Sequence, residues 1–163
     1  MFESEFEKKI REEYDIWNNY EPYKLQPSIH PFFPNHIEHE WKYPPRPTFQ
    51  AVYFFGKLKE ELSRHITDFE MALEVCLKTG VNTVVFIDIA VWYNGTKHAI
   101  EVHGDKKEDV VINKKTDSLL PYNWLIHHVF NGQIENENEL KLLLHSLVKR
   151  IIINNANDAG NVS

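Results

Sequence analysis

Residues 84–105 read VVFIDIAVWYNGTKHAIEVHGD, two apolar-rich runs on either side of Asn94-Gly95. A two-residue type I′ turn needs positive φ at both central positions, and Asn and Gly tolerate that best, so the stretch predicts a β-hairpin. With Tyr93 and Thr96 flanking the turn, the facing pairs are Trp92 with Lys97, Val91 with His98, Ala90 with Ala99, Ile89 with Ile100, Asp88 with Glu101, and Phe86 with His103. Strand alternation then sets Phe86, Asp88, Ala90, Ala99, Glu101 and His103 on one face. Carboxylates at facing positions have Cβ atoms about 4.5–5.5 Å apart and repel unless a cation lies between them. Asp88 also interrupts an apolar run, Val84–Trp92, of the kind found in strands covered on both faces. A solvated aspartate does not explain that setting, whereas a divalent cation held by Asp88 and Glu101, with His103 nearby, does.

The rest of the chain is consistent with one domain spanning residues 1–163, long enough to bury about two-thirds of its unfolded surface. A hydrophobic content of 42%, with 13% aromatic residues, is that of a globular protein. The single cysteine, Cys76, excludes an internal disulfide framework and fits a reducing compartment. No apolar run is long enough to cross a membrane, and the acidic start MFESEFEKKI does not have the layout of a signal peptide, so a soluble, cytoplasmic protein is expected. The net charge of −6 opposes whole-surface attraction to nucleic acid; such binding would need a local basic patch or a metal.

Phe2, Phe6, Ile10, Tyr14 and Trp17 recur at helical spacing, which predicts an N-terminal amphipathic helix within residues 1–20 whose aromatic stripe serves as core or as a homodimer contact. All but one of the eight prolines lie between Pro22 and Pro47, so residues 21–47 are expected to wrap the domain without regular structure. Its histidines, in HPFFPNHIEHE, read as solvated or core-lining, since no cysteine is close enough to complete a zinc site. Residues 48–152 form the α/β core. TFQAVYFF (48–55) reads as a strand ended by Gly56, followed by helix, with Thr67-Asp68-Phe69-Glu70 as a capping box that restarts the helix toward Gly80. A short helix is expected over 114–120, a strand at WLIHHVF (124–130) with His127 and His128 on opposite faces, and a terminal helix over 135–150. Residues 153–163 are a frayed tail.

Asp88, twelve intervening residues, and Glu101-Val102-His103 resemble the signature of the PD-(D/E)XK nuclease superfamily, an Asp on one strand and Glu-x-Lys on the next. AIEVHGD followed by a polar segment, WLIHHVF and a leucine-rich helix is similar to the very-short-patch-repair-like branch. The resemblance covers roughly residues 67–150. It implies a restriction-endonuclease-like core, a mixed sheet flanked by helices on both faces, and a Mg2+ (or Mn2+)-dependent phosphodiesterase acting on nucleic acid, DNA rather than RNA. Asp88 and Glu101 would be metal ligands and, with His103, the catalytic set, with Glu70 or Glu74 as an additional acid. Two departures stand out. His103 occupies the lysine position, for which Lys106 or Lys107 would substitute, and no strand is evident between the first helix and the Asp strand unless TFQAVYFF supplies it. Two other readings fit the residues: a catalytically degenerate member that binds nucleic acid or protein, and an unrelated small α/β assembly protein.

Overall fold

The structure is a computed structural model and describes residues 4–14, 47–80, 83–104 and 109–153. The expected wrapping segment up to residue 46, Lys106 and Lys107, and the tail beyond residue 153 lie outside the described residues.

Among the described residues the elements are α1 (Glu5–Tyr14), α2 (Phe49–Ser63), β1 (Phe69–Lys78), β2 (Val84–Tyr93), β3 (Thr96–His103), α3 (Asp109–Leu119), β4 (Trp124–Phe130), α4 (Asn131–Glu135) and α5 (Glu137–Ile153), with a 3-10 turn at Leu120–Tyr122. The four strands form one mixed sheet in the order β1-β2-β3-β4, antiparallel except for the parallel β3–β4 pair. The hairpin register is the expected one, from Tyr93 opposite Thr96 to Ile89 opposite Ile100. Asn94 and Gly95 take φ of 49° and 79°, the left-handed values that a type I′ turn requires.

Each face of the sheet carries its own core. On one, Leu73, Ile89, Val91, Ile100 and Val129 meet Phe54, Leu58 and Leu62 of α2 and Leu140, Leu144, Leu147 and Ile151 of α5. On the other, Ala72, Ala90, Trp92, Ala99 and Trp124 meet Leu119 of α3. The β3–α3–β4 connection joins parallel neighbours, so α3 must cross over the sheet, and it does so on the face that carries Asp88 and Glu101. Phe6 of α1 packs edge-on against Tyr53, ring centroids 5.4 Å apart, which makes that part of the aromatic stripe core.

Two elements differ from the sequence reading. TFQAVYFF is the start of α2: the Thr48 hydroxyl accepts the Ala51 amide hydrogen at 3.1 Å as an N-cap, and Ala51, Phe54, Leu58 and Leu62 are buried at three- and four-residue spacing. Gly56 does not end it, because its missing side chain faces open space. Residues 69–78, expected as helix, are instead β1 and pair along their length with β2. Glu, Met, Ala and Leu favour helix locally, but the apolar β2 edge offers a partner that satisfies both the backbone and the side chains of this segment. A strand thus does precede the Asp88 strand, supplied not by TFQAVYFF but by residues that read as helix.

Candidate active site

Three adjacent strands bring three acids into one row. Leu73 pairs with Ile89 and Val75 with Ile87, so Glu74 stands opposite Asp88. Asp88 in turn lies one step beyond the Ile89–Ile100 pair, level with Glu101. Glu74 has a left-handed φ of 50°, an unfavourable conformation for a residue with a Cβ. The two strands exchange faces there: Leu73 and Ile89 pack under α2 and α5, while Val75 and Ile87 pack in the α3 core. The backbone ladder between β2 and β3 ends at the same level, and the Asp88 side chain replaces one of its bonds by accepting the Val102 amide hydrogen at 2.8 Å through Oδ2. That bond fixes the orientation of the Asp88 carboxylate.

α3 closes the row from above with Lys115. Its Nζ lies 2.5 Å from Glu101 Oε2 and 3.7 Å from Asp88 Oδ1. The Glu101 side chain is 1% exposed, against 21% for Asp88 and 24% for Lys115, so the site opens to solvent on the Asp88–Lys115 side. Both carboxylate oxygens of Glu101 are buried with no hydrogen-bond partner among the described residues, the Lys115 contact being an ion pair. Burial, then the charge of Asp88, pushes Glu101 up to about 8, and the same two causes push Glu74 up to about 8, with Lys115 opposing in both. Burial pulls the Lys115 ammonium down, but Glu101, Asp88 and Glu74 outweigh it and hold the group above its ordinary value.

His103 joins the same face and is 1% exposed. Its Nε2 pairs with Nδ1 of His128 on β4 at 2.8 Å, the rings stacked with centroids 5.0 Å apart, and His128 Nε2 pairs with Thr116 Oγ1 of α3 at 3.3 Å. A second histidine pair, His98 and His127, is bonded at 3.0 Å on the opposite face of the sheet. Burial lowers both of these, to about 4 and about 3, so they are neutral core residues near neutral pH. His127 and His128 thus face opposite ways, as expected of neighbours on a strand.

Of the residues picked out in the sequence, Asp88, Glu101 and Glu74 stand in one row, and His103 shares their face of the sheet but contacts His128 and Phe130. Glu70 lies apart: it is opposite Trp92 near the hairpin turn and lines a separate open cavity of about 580 Å³ with Thr67, Phe69, Tyr93 and Gly95. Lys115, Thr116 and His128 were not singled out. Lys115 was accessible to sequence reasoning, because Leu119 is apolar and four residues on, which places both on one stripe of the crossover helix.

The donors suit a hard cation in part. Among the described residues, no three Asp, Glu, His or Cys side chains converge as a ready-made metal site. Mg2+ is commonly held by one or two carboxylates with water and substrate phosphate completing the shell, however, and Asp88, Glu101 and the unmet acceptor Oε1 supply that much. In comparisons with known proteins, the chain matches no family model, no curated protein and no solved structure significantly.

Proposed function

We propose that this protein is a metal-dependent nuclease of the PD-(D/E)XK type that hydrolyses phosphodiester bonds in DNA in the cytoplasm. The observation that carries the reading is the buried Asp88–Glu101 pair on adjacent strands with a lysine ammonium against both. Three independent elements build this charge cluster at a cost in desolvation, and a cluster that serves only stability is commonly replaced by apolar residues without loss. The element order lends further support: α2, β1, β2, β3, α3 and β4 follow one another as helix, three strands, helix and strand, with β1 in the position that the sequence reading found vacant.

Asp88 and Glu101 would hold Mg2+ or Mn2+, which when bound supplies charge neutralisation at the scissile phosphate and a bound water of lowered pKa. The Val102 amide keeps Asp88 oriented for that task. Lys115, on the open side, offers a positive charge beside the acid pair, where β3 carries His103 at the lysine position. Lys115 thereby fills the role that the sequence reading gave to Lys106 or Lys107. His103, bonded to His128, is suited to orienting a water or passing a proton along the pair.

Plasmid and single-stranded DNA incubated with Mg2+ or Mn2+ should be cleaved by the wild type and not by Glu101→Gln. Equal cleavage by the variant refutes the assignment. A second reading, a catalytically silent module on the same framework that binds nucleic acid or protein, is favoured by the net charge of −6 and by His103 in the lysine position. DNA retention without cleavage under either metal would decide for it.

A further inference from the structure

We propose that Lys115 is a resident counter-ion that an incoming divalent cation must displace, so that loading the site and releasing the Lys115 ammonium toward the substrate phosphate are one event. This rests on the nuclease reading of Asp88 and Glu101 and adds a control step to it.

The ammonium contacts the same two carboxylates that would hold the cation, at 2.5 Å from Glu101 Oε2 and 3.7 Å from Asp88 Oδ1. A divalent cation bound to those carboxylates and an ammonium in contact with the same groups would lie close together in a buried setting, and two cations that close repel. The ammonium also fits the site incompletely. Its Nζ lies 2.5 Å from Oε2 as an ion pair, yet neither oxygen of this buried carboxylate has a hydrogen-bond partner among the described residues. A group that takes several oxygen ligands would satisfy both.

The means of release are local. Lys115 has a flexible four-carbon stem and is 24% exposed on the same side as Asp88, and Leu119, fully buried one turn later, anchors α3 whichever way the lysine points. The side chain can therefore swing outward without unfolding the helix.

Calorimetric titration of the full chain with Mg2+ alone at pH 8.5 tests this. Lys115→Met and Lys115→Gln should bind about tenfold or more tighter than wild type, while Lys115→Arg, which keeps the charge, should bind no tighter than wild type. Affinities equal to or weaker than wild type in both neutral variants overturn the exchange and leave the nuclease reading intact. Absence of Mg2+ binding by wild type and all variants removes both. A measurement on unaltered protein covers the case in which the neutral variants fail to fold. The 15N signal of the Lys115 ammonium, protected in its ion pair, should lose that protection at saturating Mg2+, and its persistence would overturn the proposal.

Discussion

Divalent cation binding should be coupled to proton release, and the coupling can be worked out from the site. Burial and the charge of Asp88 raise both Glu101 and Glu74 to about 8 in the folded apoprotein, so at pH 7 both carboxyls are largely protonated. A cation ligated by Glu101 requires that proton to leave, and its charge beside Glu74 favours loss of the second. Binding at pH 7 should therefore release between one and two protons. The apparent Kd should fall about tenfold per pH unit for each proton released between pH 6 and 8, then level off. Mg2+ at a hundred times its Kd should stabilise the fold by about 2.7 kcal/mol, which for a chain of this size raises Tm by about 5–11 °C. Titrations in Tris and in HEPES, whose ionisation enthalpies differ, read the proton count from the difference in observed heat. A Kd constant from pH 6 to 8 with no buffer-dependent heat would refute the placement of the cation at these carboxylates. Undiminished binding by Glu101→Gln would do the same.

Stability of the metal-free protein should have a plateau on the pH axis. Glu74 and Glu101 have folded pKa values raised from 4.5 to about 8, so their contribution is fully present below 4.5 and is lost as pH rises through 8. His98 and His127 are depressed from 6.5 to about 4 and about 3, so theirs is present above 6.5 and is lost on acidification. Each group contributes a slope of about 1.4 kcal/mol per pH unit within its window. The slopes oppose between 4.5 and 6.5, so urea denaturation should find a flat maximum there and declines toward pH 8 and pH 3.5; a maximum at pH 8 would contradict the assigned shifts. Glu70→Ala should leave cleavage within about twofold of wild type, whereas Glu74→Gln should reduce it by about tenfold or more, both read in the plasmid assay. Leu147, fully buried between α5 and the sheet, should cost about 2–5 kcal/mol when replaced by Ala, measured as a lower urea midpoint with unchanged slope.

What the sequence determined by itself was local. Asn94-Gly95 dictates a left-handed two-residue turn, and a two-residue turn sets the pairing of every residue out to Ile89 and Ile100, which is why the shared face of Asp88, Glu101 and His103 could be read without coordinates. The amphipathic terminal helix and the WLIHHVF strand were legible for the same reason, since their periodicities are carried by contiguous residues. Tertiary structure decided the rest. FEMALEVCLK has helix-favouring residues and becomes a strand because β2 presents an apolar edge to pair with, an influence from residues that follow it in the chain. That choice moved Glu74 from a helix face to a position opposite Asp88, and the crossover to β4 laid α3 on the same face and brought Lys115 onto the acid pair. The lysine that lies against the acid pair comes from twelve residues beyond His103, across a connection whose length conceals the proximity. Charge compensation in a buried site depends on distance in space, and a sequence records distance along the chain.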